Sequence, residues 1–421
     1  MFLLRLALNS LANRRFSALL TVFAIALSMA LLLAVERLRV EARSSFTNTI
    51  SGTDLIVGAR SGSINLLLYS VFRLGNATHN ISWDSYQQIK NSPQVKWAIP
   101  LSLGDSHQGY RVIGTHSDYF THLRYGQQQP LLFSQGRAFS EDPFDVVLGA
   151  EVAQKLNYAL GHQLVLAHGL SKVSLNQHDD KPFTVVGILQ RTGTPVDHSL
   201  HISLEGMQAL HIDWRSGAPA IGAGKVSAEQ ARQMDLTPAQ ITAMLLGLNS
   251  KLATFNVQRS INNYRGEALM AILPGVTLHE LWSLMGNVER ALLAVSLCVV
   301  LTGLIGMLTS ILASLNERRR EMAILRSVGA RPWQIAGLLI FEALTLALSG
   351  AVLGLFVLYG AIFAAQDYLQ VQYGLYLSLG APSLYEWAML GGLALSALLI
   401  GAIPAWRAYR QSLSDGLSIR V

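Results

Sequence analysis

The stretch Phe16-Ser-Ala-Leu-Leu-Thr-Val-Phe-Ala-Ile-Ala-Leu-Ser-Met-Ala-Leu-Leu-Leu-Ala-Val35 contains no charged side chain. As a helix rising about 1.5 Å per residue it covers roughly 30 Å, the thickness of a bilayer's hydrocarbon core. Long apolar runs recur at 291–316, 335–366 and 388–405, without charge except for Glu342 in the second of them, whereas residues 36–289 carry polar clusters, turns and alternating patterns. With 51% hydrophobic and 14% charged residues, the chain is well below the ~25% charge of ordinary soluble proteins. The reading is an α-helical membrane protein with four transmembrane helices, at 16–35, 290–316, 335–366 and 386–405. A cleaved signal peptide is a poorer reading of the first run, because its apolar region is too long and Leu33-Ala34-Val35-Glu36 is an unsuitable cleavage site.

Lys and Arg near the helix ends set the expected orientation. Arg5, Arg14 and Arg15 precede the first helix, Arg318, Arg319, Arg320, Arg326 and Arg331 separate the second from the third, and Arg407, Arg410 and Arg420 follow the fourth. The loop at 367–385 has neither residue type. Both termini and the 317–334 segment are therefore expected in the cytoplasm, with residues 36–289 and 367–385 outside. Residues 1–15 read as an amphipathic helix on the cytoplasmic surface, and 406–421 as a cytoplasmic tail. All seven lysines fall in the outer region, so the net charge of +6 is divided between ordinary surface and topology signals and does not imply nucleic-acid binding. The one cysteine, Cys298, lies in an apolar run, so a core rather than a disulfide must hold the outer domain.

The outer domain reads as mixed α+β. Strands are expected at 54–57, 95–99, 110–113, 145–148, 163–167, 183–189 and 268–273. Helices are expected at 83–91 with Ser82 as cap, at 151–156, at 204–210, and at 238–249 with Thr237 as cap. Composition shifts near 130–143 and 213–226 suggest that residues ~140 to ~230 are inserted into a larger domain.

Between the second and third helices stands Asn316-Glu-Arg-Arg-Arg-Glu-Met-Ala-Ile-Leu-Arg-Ser-Val-Gly-Ala-Arg-Pro-Trp-Gln-Ile335. Met322, Leu325 and Val328, with Ile324 near them, read as an apolar face, Gly329 as a helix stop, and Pro332 as the first turn of the next helix. Topology alone needs positive charge here, but it does not need an ordered Glu, an apolar face and a glycine stop. A short amphipathic helix tied to two membrane helices suits a receiver of force from a cytoplasmic protein.

This segment resembles the signature of the MacB/FtsX/LolC-type permease family, in which an R-R-R-E-like run leads into I-L-R-x-x-G-A. Pro404-Ala-Trp-Arg-Ala-Tyr-Arg410 resembles the family's closing motif, although Ser412 to Ser418 lacks its usual proline. Asp54-Leu-Ile-Val-Gly-Ala59 and Thr192-Gly-Thr-Pro-Val-Asp197 are similar to blocks of the outer domain. The resemblance implies a permease working with a second copy or a paralogue, coupled to an ABC ATPase dimer. Glu317, Arg318, Arg319, Arg320, Glu321, Met322, Ile324, Leu325, Arg326, Val328 and Gly329 would form the coupling contact. It also implies a porter-like part at ~40–135 and ~250–285, a Sabre-like insert at ~140–230, and movement relayed to the outer domain. The expected location is the bacterial inner membrane, in contact with its lipids.

No phosphate loop is legible: Gly222-Ala-Gly-Lys-Val226 has Pro219 and Val226 where Gly and Ser/Thr belong. ATP and Mg are expected in the partner, with no cofactor in this chain. No hydrolase triad or paired-carboxylate site stands out, so the chain reads as a non-enzyme. Glu342 lies inside the third helix, and Gly350 and Gly354 form a small-residue face that serves close helix approach, either between subunits or within one. All eleven histidines lie between His79 and His279. His198, His201 and His211 are the weak metal-ligand candidates, since strand-like alternation would send His198 and His201 to opposite faces.

The expected function is a mechanotransmitting permease for an amphiphile, lipid, lipoprotein or drug-like molecule. Alternatives are FtsX-like signalling to a periplasmic hydrolase and a permease serving zinc uptake. The corresponding further partners are a periplasmic adaptor, a hydrolase or a substrate-binding protein.

Overall fold

The computed structural model describes residues 14–410 apart from 141, 170–179, 216–217, 220–224, 318–321, 323, 325 and 374–378. The expected amphipathic helix at 1–15 (but for its last two residues), the end of the tail, Arg318, Arg319, Arg320, Glu321 and Leu325 lie outside the described residues.

The chain divides into two compact units, Met1–Ala42 with Gly286–Val421 and Arg43–Met285. The first is helical. Four helices are long and apolar enough to cross a membrane: α1 (Arg15–Thr49), α6 (Pro274–Glu317), α7 (Pro332–Tyr373) and α8 (Leu384–Arg410). Their buried face joins Ile25, Met29, Leu33, Leu304, Met307, Ile311, Leu339, Leu346 and Ala397 in one core. Phe16, Leu19, Phe23, Leu297, Ile305, Phe356, Phe363 and Leu399 project outward, an apolar exterior that belongs in lipid rather than water. Gly350 and Gly354 pack within this subunit. A Cβ on Gly350 would lie 2.6 Å from Ile25 Cγ2, and one on Gly354 would lie 2.7 Å from Ala26 O, so both glycines let α7 approach α1 closely. Glu342 is buried in the same unit.

The second unit is built on an 11-stranded sheet. Its strands are β1 (Leu55–Ala59), β2 (Val95–His107), β3 (Tyr110–Thr115), β4 (Phe133–Gly136), β5 (Asp145–Leu148), β6 (Gln163–Leu164), β7 (Ala167–His168), β8 (Phe183–Leu189), β9 (Ser199–Ser203), β10 (Ala243–Leu248) and β11 (Leu269–Ile272). Their order is β11-β1-β10-β2-β3-β9-β5-β8-β4, with β7 on β2 and β6 on β8. Strand β2 carries the sheet from one half to the other. Its first part pairs with β10 (Ile99 opposite Leu245), and from Ser102 onward it pairs with β3 through an irregularity at Leu103/Ser106, with β7 opposite Asp105 and Ser106.

The two halves have separate cores. One packs helices α2 (Trp83–Lys90) and α5 (Thr254–Asn262) on the sheet through Tyr86, Ile89, Val257 and Ile261 against Leu55, Val57 and Leu246. The other packs α3 (Ala150–Leu156) and α4 (Leu204–His211) through Val152, Met207 and Leu210 against Val112, Val146, Val185 and Leu200. Ser82 and Ser203 cap α2 and α4 by accepting the backbone N–H of Ser85 and Gly206.

The helix expected at 238–249 is a correction: β10 occupies Ala243–Leu248, every residue of it buried. Sandwiched between β1 and β2, this strand is covered on both faces, so its sequence is a continuous apolar run without alternation. Such a run does not distinguish a buried strand from a buried helix. Thr237, expected as the cap of that helix, instead donates both its N–H and its hydroxyl to Asp235 Oδ1. The strand expected at 163–167 is two short strands, β6 and β7, on different partners.

Candidate functional site

Around the 317–334 turn, the described residues separate into core and surface. Met322 is 8% exposed and packs with Leu315, Leu338 and Leu339, whereas Ile324 and Val328 are 51% and 83% exposed. Met322 and Val328 therefore do not share a face. Six residues advance a helix by about 240°, and the segment turns at once after Val328. Ile324 O accepts the Val328 N–H at 3.0 Å, and Gly329 then takes φ +103°, a left-handed value that suits glycine and ends the helix. Arg331 N–H donates to Gln334 Oε1 at 2.8 Å, closing the start of α7 at Pro332. Ile324, Val328 and Trp333 are each exposed apolar side chains in the same short segment as Arg326 and Arg331.

At the other end of the helical unit, Arg37 of α1 forms a buried ion pair with Glu386 at the start of α8, 3.3 Å apart with side chains 8% and 6% exposed. Arg37 Nη2 donates to Gly380 O at 2.9 Å, its guanidinium lies 5.0 Å over the Tyr359 ring, and the Tyr359 hydroxyl donates to the same carbonyl at 2.8 Å. Glu386 accepts the Ser383 N–H while Ser383 Oγ accepts the Glu386 N–H, a reciprocal cap. The clamp joins α1, α7 and α8. Sequence reading missed it, although both residues sit where uncharged runs end.

In the outer unit the histidines separate by environment. His201 lies on β9, fully buried against Tyr119 and Phe120 at 5.0 and 5.9 Å between ring centroids. The Val147 backbone runs alongside, yet neither ring nitrogen makes a hydrogen bond of ordinary geometry among the described residues. Burial, with Arg73 nearby, pushes its pKa down to about 3. His198 ends the short 3-10 turn Pro195–His198, and burial lowers its pKa as well. Its neighbour Asp197 accepts the N–H groups of Thr192 and Gly193 at 2.9 and 2.7 Å, so the Thr192–Asp197 block is a structural turn.

The third candidate, His211, is brought instead to Asp105 and His168. His168 Nδ1 is 3.0 Å from Asp105 Oδ1, His211 Nε2 is 3.5 Å from the same oxygen, and the two ring nitrogens are 3.4 Å apart. The register of β7 on β2 sets His168 directly opposite Asp105, and His211 ends α4. Burial opposes the charged form of His211, but Asp105 beside it outweighs that and holds its pKa above the ordinary value.

Comparison with known proteins gives these features a family. The chain matches the model for the MacB-like periplasmic core domain over residues 18–244, and that for the FtsX-like permease C-terminal over 293–413. Over 420 residues it is 24% identical to the macrolide export ATP-binding/permease protein MacB of Nitrobacter winogradskyi, covering 96% of this chain and 58% of that one. It is 33% identical over 104 residues to the uncharacterized ABC transporter permease YknZ of Bacillus subtilis, 25% of this chain and 24% of that one. The chain thus spans less than two thirds of either relative. Among solved structures, the periplasmic region of MacB from Actinobacillus actinomycetemcomitans has a TM-score of 0.35 at 13% identity, covering 55% of this chain and 94% of that one. The extracellular domain of the noncanonic ABC-type transporter YknZ from Gram-positive bacteria has 0.31 at 12%, covering 52% and 99%. With the first model running from α1 to the start of β10 and the second covering the closing helices, the chain belongs to the MacB/FtsX-type family of ABC transporter permeases.

Proposed function

We propose that this permease couples ATP hydrolysis in a separate ATPase subunit to movement of its outer domain, acting on an amphiphile, lipid, lipoprotein or drug-like molecule at the outer face of a bacterial inner membrane. The observation that carries the reading is the length of two helices. Arg15–Thr49 has 35 residues and Pro274–Glu317 has 44, about 52 and 66 Å at 1.5 Å per residue, against roughly 30 Å of hydrocarbon. Each is unbroken and has residues in both compact units. A helix keeps its hydrogen bonds when pushed from one end, so a displacement at the 317–334 turn has a stiff path outward through α6. The exposed Ile324, Val328 and Trp333 supply a place for the ATPase to push. Both termini in the cytoplasm, as the arginine distribution indicates, would put that surface on the ATP side.

The export relative's name favours transport over signalling to a hydrolase, and a second copy of the permease would complete the assembly. The test inserts two glycines after Leu284 in α6. In the complex reconstituted with its ATPase, hydrogen exchange of residues 43–285 should change between nucleotide-free and vanadate-trapped states. The insertion should abolish that change while ATP hydrolysis continues. Outer-unit exchange that ignores nucleotide in the unaltered complex would refute the reading.

A further inference from the structure

Outside the features used for coupling, the outer unit converges three donor atoms of the types that hold transition metals. Asp105 Oδ1, His168 Nδ1 and His211 Nε2 are separated by 3.0, 3.4 and 3.5 Å. Bonds of 2.0–2.2 Å to a tetrahedral zinc ion require ligand atoms about 3.3–3.6 Å apart, so the three atoms already lie near three corners of that tetrahedron. Octahedral magnesium or calcium would call for a shell of oxygen ligands rather than two imidazoles.

The supporting bonds orient the ligands. His211 Nδ1 is 3.0 Å from Met207 O; as N–H donor to that carbonyl it turns the Nε2 lone pair toward Asp105 and His168. This is the outer-shell arrangement that fixes the tautomer of metal-bound histidines. The helix C-terminus at His211 adds partial negative charge where a cation would sit. Asp105 is held by strand pairing and is fully buried, while the His168 side chain is 46% exposed and that of His211 28%. The centre is thus anchored on the inside and open on one side, with room for a water as fourth ligand. The 3.4 Å approach of the two imidazole nitrogens is also of hydrogen-bond length, so a metal titration is what separates a metal centre from a hydrogen-bonded cluster.

We propose that Asp105, His168 and His211 form a solvent-accessible transition-metal site on the outer domain, with zinc its best-matched ion. The assignment goes beyond the coupling function and stands whether or not that reading holds. It uses His211 but neither His198 nor His201, whose surroundings in the fold serve packing.

The full chain, purified in detergent with its tag removed and its metal stripped by chelation, is titrated with Co2+ and then with Zn2+ against a chromophoric chelator. The expected result is one ion per chain, intense ligand-field bands of a tetrahedral cobalt centre, their displacement by zinc, and X-ray absorption showing two imidazoles. Each of His168→Ala and His211→Ala should weaken binding by roughly 100-fold or more, Asp105→Asn by roughly 10–100-fold, and His198→Ala not at all. His168 is exposed on a short edge strand, so its variant will fold, and the spectrum of the unaltered protein is independent of any variant. Absence of binding, an octahedral cobalt spectrum, or affinity unchanged in His168→Ala overturns the assignment.

Discussion

Arg37 and Glu386 face each other at 3.3 Å with hardly any solvent on either side, 349 positions apart in the chain. Removing one partner leaves the other charge buried, which costs about 3–5 kcal/mol. Arg37→Met and Glu386→Leu should each lower the thermal midpoint of the detergent-solubilised protein sharply. The double variant should recover much of the loss, because neither charge is then stranded. Additive losses would show that the two residues do not act as a pair.

Gly354 should tolerate no side chain, since an added Cβ would meet Ala26 O at 2.7 Å, a backbone atom that cannot step aside. Gly354→Val is expected to destabilise by about 1–3 kcal/mol through overpacking. Gly360 lies on the same helix, but a Cβ added there would meet nothing within 4 Å, so it should accept Ala with no loss. Thermal unfolding of the two variants side by side checks the contrast; equal effects would mean that helix propensity rather than α1–α7 contact is being measured.

The imidazole of His201 gives the outer unit an acid-sensitive core. Its pKa falls from the ordinary 6.5 to about 3 because burial excludes the charged form, so between those values the unfolded chain binds a proton that the folded chain refuses. Stability from this group is complete above pH 6.5 and declines as pH drops toward 3. His201→Phe, which suits a ring contacted by Tyr119 and Phe120, should flatten the stability profile across that window in denaturant titrations followed by tryptophan fluorescence. An unchanged slope would assign the acid sensitivity elsewhere.

At the 317–334 turn, Ile324→Asp and Val328→Asp should weaken retention of the ATPase on a permease that still folds, because both side chains are exposed. Met322→Asp should instead reduce the yield of folded protein, since it places a carboxylate in the bundle core. Co-purification with the ATPase and a gel-filtration profile separate the outcomes. Full ATPase retention in the Ile324→Asp/Val328→Asp double variant would move the contact elsewhere.

For orientation, single cysteines in a Cys298→Ser background are placed at exposed Leu379 and Ser327. An impermeant thiol reagent added to cells with a permeabilised outer membrane should label the first and spare the second. The opposite pattern would invert the topology.

The four apolar spans were legible in the sequence alone, because lipid imposes its requirement residue by residue along about 20 consecutive positions and each run satisfies it without reference to the rest of the chain. The glycine stop at Gly329, the Ser82 cap and the strands at 145–148 and 183–189 were legible for the same reason: backbone conformation and alternation are local. Only the tertiary structure decided that 243–248 is a strand, since its continuous apolar sequence suits any element buried on all sides. It also decided which glycine contacts which helix, and that Met322 faces the core while Val328 faces out. The histidines show the limit most clearly. His198 and His201 stand close in sequence and are separated by the fold, while Asp105, His168 and His211 are scattered through the sequence and meet because an antiparallel register and a helix end bring them there. Proximity of that kind is a property of strand pairing, which no spacing along the chain encodes.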